Sequence, residues 1–161
     1  MGKRLTAEAL IYDLKTAGDP QISPDGTRIV YTLSQADRET KKSETQLWLC
    51  DVDGGNQRQL TFSGKSNTTP RWSPCGTRIA FVSDRVEDER KGARGIFVMS
   101  LDGGDAREVT RHGQNISNLA WSPDGKSIAY NTAFDPDNPD EEKRAPEAAP
   151  PVRVTSRIDY K

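Results

Sequence analysis

Ser23-Pro24-Asp25-Gly26-Thr27-Arg28-Ile29-Val30-Tyr31-Thr32 is the stretch on which the fold turns, because it comes back twice. Ser73-Pro74-Cys75-Gly76-Thr77-Arg78-Ile79-Ala80-Phe81-Val82 repeats it, and so does Ser122-Pro123-Asp124-Gly125-Lys126-Ser127-Ile128-Ala129-Tyr130-Asn131. The starts lie 50 and 49 residues apart. A second stretch, residues 47–61 (LWLCDVDGGNQRQLT), returns as residues 96–110 (IFVMSLDGGDAREVT), again 49 residues on. A regular period of this size marks stacked supersecondary units that cannot bury their apolar faces alone.

Each Ser-Pro-x-Gly has the residue choice of a type I turn. Serine accepts at the first position, proline presets φ at the second, and glycine takes the last freely. The turn joins a short apolar segment (residues 20–22, 70–72, 119–121) to a longer run, which predicts a hairpin of strands A and B. Along strand B, Ile29, Ile79 and Ile128 share a face with Tyr31, Phe81 and Tyr130, while Val30, Ala80 and Ala129 point the other way. A sheet that is apolar on both faces packs between two neighbours. Residues 47–52 and 96–101 predict strand C. Asp53-Gly54-Gly55 and Asp102-Gly103-Gly104 predict its turn into a polar, outer strand D.

Four antiparallel strands in about 50 residues describe one blade of a β-propeller. The fold class is therefore all-β: an incomplete propeller of about three four-stranded blades, WD40-like or TolB-like, behind a short N-terminal helix. No Trp-Asp dipeptide occurs, and the double glycine closes the C–D hairpin, which disfavours kelch repeats. The expected divisions are a helical leader at 1–18, blade 1 at 19–62, blade 2 at 63–111 and an incomplete blade 3 at 112–161. Residues 5–16 read as the helix, with Thr6 as cap, Leu5 and Leu10 as a staple, a stripe of Leu10, Ile11 and Leu14, and Gly18 and Pro20 as the stop. An acidic, Pro-rich insert at 133–151 reads as a linker, and residues 152–160 as a strand.

The A–B and C–D turns should crowd one rim of the disc. The other rim should carry the long charged connections 34–46 and 83–95, with Arg38, Arg85, Arg90 and Arg94; if the array binds through loops, that rim is the better candidate, and plain solvated connectors are the alternative.

Charge is nearly balanced, with 23 basic and 24 acidic residues in 161, so no strong field recruits nucleic acid or an anionic membrane. No apolar run is long enough to span a bilayer, and a cytoplasmic location is the expectation. Cys50 reads as a buried thiol and Cys75 as a turn residue in the place of Asp25 and Asp124, without a disulfide. No catalytic, cofactor-binding or metal-ligating residues are assigned. Ser23, Pro24, Asp25, Gly26, Ser73, Pro74, Gly76, Ser122, Pro123, Asp124 and Gly125 are assigned as structural turns. Trp48, Trp72 and Trp121 are read as core. Asn67 and Asn115 head glycosylation sequons that mean little without a secretion signal.

The order of elements carries a resemblance. A helical leader, DPQISPDG at 19–26, LWLCDVDGGNQRQLT, PRWSPCGTRIAFVSDR at 70–85, and an acidic insert before Arg157-Ile158-Asp159-Tyr160 resemble the propeller of the prolyl oligopeptidase family. The acylaminoacyl-peptidase and dipeptidyl-peptidase branch is the more similar one, and the blades are TolB-like. The resemblance implies a parent protein with further blades and an α/β-hydrolase domain, and a propeller that gates and selects peptide substrates. The chain itself has no Gly-x-Ser-x-Gly elbow and one histidine, His112, so no Ser-His-Asp triad is expected in it. The alternative is a non-enzymatic TolB-like module that binds a protein or peptide. Three blades fall short of the roughly 4 to 8 that close a ring, so the open faces are expected to self-associate.

Overall fold

The computed structural model describes residues 6–86 and 93–132. One helix, α1 (Ala7–Tyr12), precedes ten strands: β1 (Lys15–Ile22), β2 (Arg28–Ala36), β3 (Ser43–Asp51), β4 (Arg58–Gln59), β5 (Asn67–Trp72), β6 (Arg78–Ser83), β7 (Arg94–Ser100), β8 (Arg107–His112), β9 (Ile116–Trp121) and β10 (Ile128–Thr132). They form two four-stranded antiparallel sheets, β1-β2-β3-β4 and β5-β6-β7-β8, and the hairpin β9-β10. These are blades 1, 2 and 3, and the fold is nearly all-β and open.

The alternating faces of strand B decide how the blades stack. Val30, Leu47 and Leu49 of blade 1 are buried against Ile79, Phe81, Phe97 and Met99 of blade 2. On the opposite face of blade 2, Ala80, Val82 and Ile96 meet Ile116 and Leu119 of blade 3. Phe81 and Phe97 pair at 5.9 Å between centroids, filling the first interface with aromatic area. Ile29 and Tyr31 occupy the positions of Ile79 and Phe81, but no described blade covers their face, and both stay half-buried. The free face of blade 3 is exposed at Ala120 and Ala129.

The innermost strands β1 and β5 are bulged. Asp19, Thr69 and Asn118 hold φ of 42°, 54° and 53°, at one repeat position. Left-handed backbone is unusual for a β-branched residue such as Thr69. A bulge bends its strand and strengthens the local twist, which suits the strand nearest the axis.

The leader differs from the helix expected over 5–16. Thr6 does cap it, accepting from Ala9 N, but α1 ends at Tyr12 and Leu10, Ile11 and Leu14 are exposed. Leu5 lies outside the described residues. From Lys15 the chain pairs with Gln35 and Ser34, so the open edge of β2 captures residues that favour helix only by local pattern. Blade 1's connection 34–46 is likewise mostly strand, leaving a tight turn at 37–42 in which Asp37 accepts from Thr40 N at 2.7 Å. The insert 133–151 and the expected strand at 152–160 lie outside the described residues.

Candidate functional site

The three Ser-Pro-x-Gly turns sit together on one rim. In the first, Gly26 N bonds Ser23 O, and Ser23 Oγ accepts from Arg28 N at 2.9 Å while donating to Asp25 Oδ1 at 2.6 Å. Asp25 Oδ1 also accepts from Thr27 N and Thr27 Oγ1. These donors hold the Asp25 carboxyl at about 2, with the Ser23 hydroxyl the largest cause. Ser122 and Asp124 repeat the arrangement, with Lys126 N as donor, and Asp124 is lowered for the same reason. Gly26, Gly76 and Gly125 close the turns at φ of 72°, 70° and 67°, where a side chain would be strained.

Cys75 replaces the carboxylate in the middle turn. Its Sγ lies 3.3 Å from Ser73 Oγ and 3.1 Å from Thr77 Oγ1, and these hydroxyls bring the exposed thiol down to about 6. Both cysteines are free, and Cys50 is buried.

The turns also join the blades. Trp72, at the end of β5, donates its indole N–H to Gln21 O of blade 1 at 2.9 Å. Arg28 of blade 1 stacks over the Trp72 ring at 5.4 Å and donates to Gly76 O at 3.3 Å. One blade on, Trp121 donates to Arg71 O at 3.0 Å, and Arg78 lies 5.2 Å over Trp121 and bonds Gly125 O at 3.3 Å. Pro24 packs toward Gly76 and Pro74 toward Gly125, each near enough to touch an added Cβ at 3.6 Å. An ion pair, Arg71 to Asp19 at 2.9 Å, ties β5 to β1 as well. Trp72 and Trp121 are thus half-buried connectors of blades, a role that a reading of them as core conceals. The signal lies in the repeat: Arg28 and Arg78, like Trp72 and Trp121, share repeat positions.

On the second rim a buried polar cluster crosses the same interface. Asn67 is fully buried; its Nδ2 donates to Gln46 Oε1 and Ser63 O, and its Oδ1 accepts from Ser83 Oγ and Arg85. Glycosylation at Asn67 would break this cluster, whereas Asn115 is exposed. Arg85 lies about 5 Å over both Phe81 and Phe97, and burial lowers its pKa. Arg38 reaches Glu8 and Asp13, and Arg38 and Lys41 both lie within about 5 Å of the Tyr12 ring centre, which fastens α1 to blade 1. Arg94 bonds Ala93 O, and Arg90 lies outside the described residues. Of the arginines on the loop-bearing rim, Arg38 and Arg85 are engaged within the protein.

A cleft of about 590 Å3 opens beside the free face of blade 1, between α1 and β3, lined by Tyr12, Leu33, Arg38, Gln46, Trp48 and Phe62 among others. A second, of about 150 Å3, lies where blade 3 leaves Val98 and Val109 of blade 2 uncovered. His112 Nε2 is 2.8 Å from the Tyr130 hydroxyl, bridging blades 2 and 3. Among the described residues no group of three or more His, Cys, Asp or Glu is placed to hold a metal, and no helix is long and apolar enough to cross a membrane.

The chain is 39% identical over 88 residues to the uncharacterized peptidase YuxL of Bacillus subtilis, covering 55% of this chain and 13% of that protein. It is 35% identical over 83 residues to dipeptidyl-peptidase 5 of Porphyromonas gingivalis, covering 52% and 12%. The chain therefore spans only about an eighth of the length of these relatives. Its fold is similar to part of the Pyrococcus horikoshii acylaminoacyl peptidase, with a TM-score of 0.60 at 23% identity, over 75% of this chain and 18% of that one. A model of the TolB beta propeller domain matches residues 8–138, and the chain belongs to that family.

Proposed function

We propose that this chain is the N-terminal propeller segment of a serine oligopeptidase of acylaminoacyl-peptidase type, in which it gates and selects peptide substrates while the chemistry lies in an α/β-hydrolase domain elsewhere in the parent protein. The observation that carries the reading is its likeness to a short part of two much longer peptidases. The two free blade faces support it, since Ile29 and Tyr31 on one side and Ala129 on the other are where further blades would pack. The test grafts residues 6–132 in place of the matching segment of YuxL. Selectivity for short over long peptides should survive in the graft and fall when the segment is deleted. Equal cleavage of long and short peptides by the graft and the deletion would sink the gating role. The isolated chain should not turn over acyl-peptide or dipeptidyl substrates.

A second reading, a non-enzymatic module that binds a protein or peptide, is favoured by the TolB character of the blades. Saturable binding of extended peptides by the isolated chain, with no effect of the graft on peptidase selectivity, would favour it.

A further inference from the structure

Arg85 follows the end of β6 on the second rim, and its guanidinium is clamped along one edge. Nε donates to Ser83 Oγ at 3.1 Å and Nη2 to Asn67 Oδ1 at 2.9 Å, and both partners are fully buried. Ser83 Oγ donates to the same Asn67 Oδ1 at 2.8 Å, which fixes the two acceptors relative to each other. The guanidinium carbon lies 5.1 Å and 5.2 Å from the ring centres of Phe81 and Phe97. The other edge of the planar fork, Nη1 and the outer hydrogen of Nη2, has no partner among the described residues. Nor does a carboxylate among them pair with Arg85, whereas Arg38 meets Asp13, Arg71 meets Asp19 and Arg111 meets Glu108. Asp84 is next in sequence, but its Oδ1 accepts from Lys65 N at 2.9 Å and Ser66 N at 3.0 Å. Half-burial therefore takes solvent from this charge without giving it a counterion, and lowers its pKa.

We propose that the open edge of Arg85 is a receptor for the carboxylate of a peptide that reaches the second rim at the seam between blades 1 and 2. A carboxylate there accepts two parallel N–H bonds, which neither a neutral amide nor a lysine in place of Arg85 reproduces. The clamp holds the fork before the ligand arrives, so little side-chain freedom is lost on binding. The nearby Asp84 charge disfavours a dianion such as phosphate and leaves a single carboxylate as the fitting charge. The site holds under both readings of function: the peptide is a substrate in one and a partner's segment in the other.

Arginine footprinting on the full chain tests this without a variant. Phenylglyoxal, which modifies guanidinium groups, is applied with and without acetyl-trialanine, and mass spectrometry reads each arginine. The free acid should protect Arg85 saturably, at least about tenfold better than the C-terminal amide does, while Arg38 reacts alike with both. Inorganic phosphate should protect less than the free acid. An amidated peptide carrying one glutamate separates the two sources of carboxylate: protection by it shows that any peptide carboxylate serves, and its failure confines the site to the chain terminus. Arg85→Lys, which keeps the charge but loses the fork, should bind the fluorescein-labelled free acid at least about tenfold more weakly in anisotropy, with its circular dichroism unchanged. Absence of protection, equal protection by acid and amide, protection by phosphate as good as by the acid, or equal affinity of Arg85→Lys and the unaltered chain would each overturn the proposal.

Discussion

The guanidinium of Arg28 lies 5.4 Å above the Trp72 ring while the same side chain reaches Gly76 O, so one residue of blade 1 grips both ends of the next blade's turn. In a urea melt, Arg28→Ala and Trp72→Phe should each destabilise the chain, and the double variant should lose less than their sum. The expected coupling is about 1 kcal/mol. Trp72→Phe also leaves Gln21 O without its indole donor, at a cost of about 1–3 kcal/mol where water is kept out. Strict additivity of the two substitutions would show that the ring and the guanidinium do not act together.

Cys75 should be the reactive thiol of this chain. Its apparent pKa in iodoacetamide labelling, followed by mass spectrometry, should fall near about 6, and Cys50 should stay unlabelled until the chain unfolds. Cys75→Asp should leave stability unchanged or raise it, because a carboxylate there finds the donors that serve Asp25 and Asp124. Cys75→Ala removes the acceptor and should lower it.

The turn carboxylates set an acid limb. Asp25 falls from 3.8 to about 2 on folding, so the stability it contributes is present above pH 3.8 and is lost as the pH drops through about 2. Asp124 is shifted in the same direction. Melting temperature should therefore fall across this window, and Asp25→Asn with Asp124→Asn should flatten the fall. An unchanged acid limb in the double variant would show that other groups carry it.

The first blade interface should be the more sensitive one. Phe81 is fully buried between Phe97, Met99 and the blade 1 leucines, and Phe81→Ala should cost about 3–5 kcal/mol by equilibrium unfolding. Ile128→Ala, where the side chain is only half-buried at the edge of the second interface, should cost markedly less. Asn67→Leu should destabilise although it is an apolar replacement in a core, because Gln46, Ser83 and Arg85 lose their shared partner.

The repeat, its turns and the two faces of strand B were legible in the sequence because each is written within ten residues. What escaped was written across repeats or against local pattern. Arg28 and Trp72 are 44 positions apart, and neither announces the other. Lys15 and Thr16 look helical until an unpaired edge of β2 is there to capture them. Asn67 reads as a sequon, and only the approach of two sheets shows it as a buried hinge pin of polar contacts. The left-handed residues Asp19, Thr69 and Asn118 share a repeat position; aspartate and asparagine tolerate that backbone, but Thr69 does not favour it, so the three side chains do not spell out the shared conformation.

Blade 2 is the one described blade with a neighbour on both faces, and Ile79, Ala80 and Phe81 of β6 are wholly shielded from water. In a linear array each unit draws its stability from the units beside it. The order in which the chain comes apart follows: α1 and β10 fray first, the outer blades open next, and the β6 amides exchange last. A binding event that clamps either outer blade would slow exchange in blade 2 without touching it, which makes the middle of the array its most faithful reporter.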